Sequence, residues 1–180
     1  FGTEREARLF QGLDRSRVKT VILQYSGNDG AENETASKPG GLDIRDRSEY
    51  ERISRKHVRK TKYFPFKLTY YLLMDTIRRK RDSRAPMPVE DEIRNFLSVF
   101  ERIRGLAPDA RFLIMELNGR GQARSDFLNA LQRTVGDDPL IATVDAEANI
   151  PDDFYFAIDN HLTAAGHRAV AMALAPFLDK

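Results

Sequence analysis

Two short polar segments carry residue types that can perform acid–base and anion-stabilising chemistry. Asp159 stands two residues before His161, and Asn28 directly follows the turn residues Ser26 and Gly27. An Asp at this spacing can accept one ring N–H of the His and stabilise the imidazolium. The other ring nitrogen is then free to take a proton from a hydroxyl nucleophile. Asn28 can donate its side-chain amide to a developing oxyanion.

Each segment also has an ordinary structural interpretation. An Asn-Asp pair after a strand commonly forms a turn, and an Asp-x-His segment before a helix commonly caps it. The two segments occur together here, in this order, and this co-occurrence favours the catalytic interpretation.

The elements that must position these residues follow from the apolar pattern. Buried strands are predicted from three apolar runs, at 18–24, 110–117 and 140–144. Helices are predicted at 89–106 and 125–135, with a last helix capped by Thr163 and running to about Leu178. Strands alternating with helices predict an α/β fold with a parallel sheet, in which reactive groups gather at the carboxyl ends of the strands.

The remaining segments give weaker expectations. Thr3 and Glu6 have the spacing of a capping box, which predicts a short helix to about Leu13. Residues 31–48 are polar and rich in turn formers, so we expect a loop. Residues 49–82 are basic and aromatic, and we expect helical pieces broken at Pro65.

The two polar segments resemble sequence blocks of the SGNH hydrolases, also called the GDSL family. QYSGNDGAEN at 24–33 is similar to the Gly-x-Asn-Asp block, and FAIDNHLTAAGHRAVAMAL at 156–174 to the C-terminal Asp-His block. The single residue between Asp and His is similar to a bacterial extracytoplasmic branch related to polysaccharide O-acetylation enzymes. Phe1-Gly2-Thr3-Glu4 is similar to the end of that branch's second block.

The resemblance implies a three-layer α/β/α flavodoxin-like sheet, here lacking its N-terminal strands, and a serine esterase site. Asp159 would orient His161 as the base, and Asn28 would form the oxyanion hole with the backbone N–H of Gly2 or of a glycine before Phe1. The expected activity is hydrolysis of acyl esters, with acetylated carbohydrate as the leading substrate. An O-acetyltransferase on the same site, or a non-catalytic module that binds an anionic glycan or envelope partner, remains the alternative. The resemblance also implies a periplasmic or secreted location and no cofactor.

The family's Gly-Asp-Ser nucleophile does not follow an apolar strand anywhere in the 180 residues. The serines are Ser16, Ser26, Ser37, Ser48, Ser54, Ser83, Ser98 and Ser125. Ser83 follows an Asp but lies in a cationic run, and Ser26 is better suited to shape the turn. We therefore expect the chain to be the C-terminal portion of one SGNH-like domain, with a basic insertion at about 31–88. A segment or chain carrying the serine is the expected partner, and it would cover the open edge of the first strand.

The charge is concentrated in the insertion. Residues 45–84 contain fourteen Lys and Arg against five Asp and Glu, a balance of +9 in a chain whose net charge is +2. This segment is either a solvated surface insertion or a patch facing an anionic partner, such as an acidic polysaccharide or phospholipid headgroups at Arg45–Arg84. No nucleic-acid recognition pattern accompanies it. The chain has no cysteine, which excludes thiolate zinc sites, and no carboxylate–histidine cluster has metal-ligand spacing.

Overall fold

The computed structural model describes residues 2–27, 29–38, 41, 46–62, 73–74, 77, 87–119, 126–148, 150–156 and 161–178. The chain divides into two compact units. The first contains Phe1–Gly41 and Met87–Lys180, and the second contains Leu42–Pro86.

The first unit is built on a three-stranded parallel sheet. Its strands are β1 (Thr20–Tyr25), β2 (Arg111–Glu116) and β3 (Ile141–Val144), in the order β1-β2-β3. The predicted α/β fold is confirmed. The order and direction of the strands match the last three strands of the flavodoxin-like order 2-1-3-4-5.

The helices of the described residues follow in chain order: α1 (Thr3–Gln11), α2 (Asp29–Ser37), α3 (Arg47–Lys62), α4 (Val89–Leu106), α5 (Asp126–Val135) and α6 (Ala164–Leu178). A short 3-10 helix at Asp152–Phe154 precedes the last of them. Every helix among these residues is too short or too polar to traverse a bilayer.

The first face of the sheet is covered by α1, α4 and α5. Its core is aromatic: the rings of Tyr25 and Phe127 stack at 3.9 Å between centroids, and Phe96 meets Tyr25 edge-on at 5.3 Å. All three side chains have no exposed surface. Because Tyr25 is the last residue of β1, this packing fixes the point where the strand gives way to the following loop.

The second face of the sheet packs on α6. Met115 of β2 and Val144 of β3 join Val170 and Leu174 of the helix in a separate buried cluster. Ile22 of β1 points toward this same side of the sheet and remains 43% exposed. Within the described residues β1 pairs with β2 alone, so its outer edge is open.

Two local expectations are wrong. Thr3 is not the N-cap of α1: Gly2 takes that position without a side-chain cap, and Thr3 is buried as the first helical residue. The expected loop at 31–48 begins instead with the last seven residues of α2, a helix that packs on α1 and α4. Tertiary packing here overrides a polar composition, and acidic residues in the first turn of α2 suit the helix dipole.

The second unit contains α3. Arg47 and Glu51 pair along this helix at 3.0 Å, as do Arg52 and Glu49 at 3.6 Å. None of the side chains that the structure describes between 46 and 77 is buried. Pro65, where we expected a helix break, lies outside the described residues.

Candidate functional site

The structure describes two of the four predicted site residues. Asn28 and Asp159 lie outside the described residues, whereas His161 and Gly2 lie within them. His161 is exposed and Gly2 is buried. Described residues flank both Asn28 and Asp159, and their contacts show how the two loops are held.

Ser26 and Asp29, the described residues near Asn28, are hydrogen-bonded to each other. Asp29 donates its backbone N–H to the carbonyl of Ser26 at 2.8 Å, and its Oδ2 accepts the Ser26 N–H at 3.1 Å. These reciprocal bonds fix the residues on both sides of Asn28 and start α2. Ser26 therefore shapes the turn, as expected from the sequence.

Asn118, two residues past the end of β2, connects this loop to the next one. Its Oδ1 accepts the backbone N–H of Gly27 at 2.6 Å, and its Nδ2 donates to Glu116 Oε1 at 2.8 Å. Glu116 is the last residue of β2 and is only 1% exposed. One side chain thus ties the residue before Asn28 to the carboxyl end of the central strand.

Glu147, just past the end of β3, holds the Asn118 loop in turn. Its Oε1 accepts the backbone N–H groups of Asn118 and Gly119 at 2.8 and 2.7 Å. The same oxygen accepts the hydroxyl of Tyr155 at 3.2 Å. A buried carboxylate with several donors is a strong local organiser, since each charge-assisted bond is stronger than a neutral one.

Tyr155 begins the segment that leads to His161. It forms an antiparallel bridge with Leu162, and the N–H of Phe156 donates to the carbonyl of His161 at 3.0 Å. The two ends of this segment are thereby joined at its base, and residues 157–160 lie between them. His161 lies beside Leu162, the bridge partner of Tyr155.

The first turn of α6 fixes the other side of His161. Thr163 donates its hydroxyl to the Phe154 carbonyl at 2.9 Å and accepts the N–H of Gly166 at 3.4 Å. The predicted cap of the last helix is confirmed. His167 is exposed on α6, and its N–H donates to the Thr163 carbonyl at 2.9 Å, as in an ordinary helical turn.

Gly2 lies against the helix that starts directly after Asn28. A Cβ built on Gly2 would come within 2.7 Å of Glu32 Cδ in α2. Arg5, one turn into α1, pairs with Glu32 at 3.2 Å. The N-terminus of α1 and the first turn of α2 are therefore in contact, and a side chain at Gly2 would displace the carboxylate of Glu32.

Burial changes the protonation behaviour of two groups around these loops. Desolvation raises the pKa of Asp29 to about 6, although the Ser26 N–H opposes the rise and the Glu6 and Glu32 carboxylates add to it. Desolvation, followed by the neighbouring Glu147 charge, raises the pKa of Tyr155 to about 12. The phenol of Tyr155 is therefore a hydrogen-bond donor at neutral pH.

Within the described ranges, no group of three or more His, Asp or Glu side chains could hold a metal ion. The network instead offers hydrogen-bond donors and acceptors fixed by backbone contacts. Such an arrangement suits positioning of a general base and an oxyanion donor.

Sequence reasoning missed Asn118, Glu116, Glu147 and Tyr155. Asn118 and Glu147 could have been found by the same rule that singled out Asn28, since each follows a predicted strand by a few residues. Tyr155 gave no comparable signal, because its partner is eight residues away across a loop. No protein-family model and no curated protein match the chain.

Proposed function

We propose that this chain forms the base and oxyanion half of a serine-esterase site of the SGNH type, with the nucleophilic serine supplied from outside these 180 residues. His161 takes the proton of that serine, and Asp159 orients and stabilises the imidazolium. Asn28, with a backbone N–H near Gly2, stabilises the oxyanion. Acetylated carbohydrate is the proposed substrate class, in the periplasm or outside the cell.

The supporting observation is one continuous chain of hydrogen bonds along the carboxyl edge of the sheet. It runs from Gly27 through Asn118 and Glu147 to Tyr155, whose bridge partner Leu162 adjoins His161. The loops that carry Asn28 and Asp159 are thus both anchored on neighbouring strand ends. Reactive groups converge at this edge in open parallel sheets.

The open edge of β1 supports the external origin of the serine. Ile22 is 43% exposed on the second face, and β1 has a partner among the described strands on one side alone. An apolar parallel strand is normally covered on both faces, and an exposed apolar edge can pair with a further strand. A strand that pairs with β1 would end at the same carboxyl edge and could present a serine beside Asn28.

The direct test is hydrolysis of a small acetyl ester by the complete protein. His161→Ala should lower kcat/KM by about 10³-fold or more, since the general base is lost. His167→Ala is the matched control, because that imidazole is also exposed but lies six residues further along the chain, on α6. Full activity in His161→Ala, or equal losses in both variants, would rule out the proposed base.

A fluorophosphonate probe tests the serine independently of substrate choice. Labelling of one serine that depends on His161 supports the esterase site. A complete protein that the probe leaves unlabelled would instead favour a non-catalytic module on the same scaffold. Release of acetate from an acetylated oligosaccharide indicates an esterase, whereas transfer of the acetyl group to a sugar hydroxyl without release of acetate indicates an O-acetyltransferase.

A further inference from the structure

The second unit presents apolar side chains and positive charge together on its surface. Five of its described large hydrophobic residues are 41% to 66% exposed: Tyr50, Val58, Leu73, Met74 and Ile77. Exposed apolar residues are unremarkable when scattered singly, but a concentration of them marks an interaction surface. These five belong to the segment that carries a net charge of +9.

Most cationic residues of α3 lie away from Tyr50 and Val58 around the helix, and Arg47 at its first position is the exception. Tyr50, Ser54 and Val58 are four residues apart and share one face, at 100° per residue. Arg55 and Lys56 lie about 100° and 160° around the helix from Ser54, and both are exposed. A helix of this kind, with an apolar face and a basic face, suits the boundary between lipid headgroups and acyl chains.

The sequence around α3 extends the same pattern. From 55 to 62 five of eight residues are Lys or Arg, and from 78 to 84 five of seven are. Between them, YFPFKLTYYLLMDTI at 63–77 has ten apolar or aromatic residues and one residue of each charge sign. This block is shorter than the roughly 20 residues that a membrane-spanning helix requires, and cationic residues flank it in the sequence on both sides.

We infer that the second unit is a docking surface for an anionic phospholipid membrane, on which Tyr50 and Val58 insert while Arg55 and Lys56 contact the headgroups. Charge complementarity selects an anionic partner. The exposed apolar side chains select a lipid surface over an acidic polysaccharide, because a polysaccharide chain offers no apolar layer that would bury them. The inference is independent of the proposed esterase chemistry.

The test is co-sedimentation of the complete protein with phospholipid vesicles. We expect binding to vesicles of phosphatidylcholine mixed with an equal amount of phosphatidylglycerol, weak binding to phosphatidylcholine alone, and loss of binding as salt is raised. Each cation near the surface contributes about fivefold in affinity, so Arg55→Gln with Lys56→Gln should weaken binding about 25-fold. Tyr50→Ser with Val58→Ser should weaken it about tenfold or more.

Matched controls come from exposed residues of the first unit. Arg17→Gln with Lys19→Gln removes the same charge, and Leu9→Ser with Leu13→Ser removes comparable exposed apolar groups. Neither pair should change vesicle binding by more than about twofold. The charge pair alone should show a small effect within this limit, because it lowers the net charge of the protein. All the substituted side chains are exposed, so circular dichroism should show an unchanged fold.

Three outcomes overturn the inference. The first is equal binding to neutral and anionic vesicles, and the second is an equal loss of binding in the control pairs. The third is binding to soluble polygalacturonate without binding to anionic vesicles, which would identify an acidic polysaccharide as the partner.

Discussion

Tyr25 donates its hydroxyl to Glu92 Oε1 at 2.8 Å, and this bond joins the end of β1 to α4 inside the core. Tyr25 has no exposed surface and Glu92 is 2% exposed. Gly30 of α2 packs over the pair, because a Cβ there would lie 3.2 Å from the Tyr25 hydroxyl. The bond therefore fixes both the end of the strand and the helix that follows Asn28.

Removing this hydroxyl should destabilise the fold. Tyr25→Phe keeps the aromatic packing but takes a donor from a buried carboxylate, so we expect a loss of about 1 to 3 kcal/mol in the free energy of unfolding. Guanidinium denaturation of Tyr25→Phe, Glu92→Gln and the double variant gives the coupling energy. A coupling near zero would show that the two groups act independently.

Asn118→Ala should impair catalysis more than folding. The variant loses the acceptor for Gly27 and the donor to Glu116, so the loop that carries Asn28 is held less firmly. A misplaced oxyanion donor costs about 10- to 100-fold in kcat, with a smaller effect on KM. Acetyl-ester kinetics on the complete protein measure the two constants separately.

Asn95→Ala is the matched control for Asn118→Ala. Asn95 is half-buried on α4, and its amide contacts Met87 at 3.6 Å, away from the strand ends. Its substitution should leave kcat unchanged within about twofold. If Asn118→Ala keeps full kcat, the side chain does not position the site.

The sequence predicted the helices and strands whose apolar pattern is strong. The predicted helix at 89–106 has the same bounds as α4, because its apolar residues recur on one face that meets the sheet. The three predicted strands exist, with ends shifted by one or two residues. The central strand β2 is buried on both faces, and an apolar strand of this kind leaves a clear signal even without alternation.

The features that could not be predicted from the sequence depend on contacts between distant segments. Residues 29–37 are polar, and their helix is stabilised by packing on α1 and α4 rather than by its own pattern. Glu147 looks like any surface acid in the sequence, and its role follows from backbone N–H groups that a different loop delivers. Residue type and order suggested the chemistry of Asn28 and His161. The residues that hold their loops were identified from the three-dimensional structure.

Gly166 should tolerate no side chain. A Cβ there would lie 2.6 Å from the backbone oxygen of Phe154 and 2.8 Å from Leu162 Cδ2. Gly166→Ala must therefore push α6 away from the segment that holds His161, with an expected loss of about 1 to 3 kcal/mol in stability and a fall in esterase activity. Thermal unfolding and acetyl-ester assays measure both effects.

Gly105→Ala tests whether the effect at Gly166 comes from contact rather than from helix propensity. A Cβ on Gly105 meets nothing within 4 Å, and the residue lies inside α4. The same substitution there should stabilise the protein by up to about 1 kcal/mol, because alanine favours the helix more than glycine does. If Gly105→Ala lowers the stability as much as Gly166→Ala does, the steric account is wrong.

Asp29 should make stability depend on pH between its unfolded and folded pKa values. Burial raises its pKa from 3.8 to about 6, so across this range the folded state binds more protons than the unfolded state. Stability from this group is therefore fully present below about pH 4 and is lost as the pH rises through about 6. The shift corresponds to a total of about 3 kcal/mol.

Asp29→Asn should remove that dependence, since its amide oxygen can still accept the Ser26 N–H but carries no charge to bury. The free energy of unfolding of Asp29→Asn minus that of the unchanged protein should thus increase from about pH 4 to pH 7 in denaturant titrations. Asp14→Asn is the control of opposite sign. The Ser16 N–H holds the pKa of Asp14 below its usual value. The ionised Asp14 carboxylate therefore stabilises the folded state near neutral pH, and this stabilisation is lost in acid. A difference for Asp29→Asn that stays constant with pH would show that its carboxyl is not buried in the folded protein.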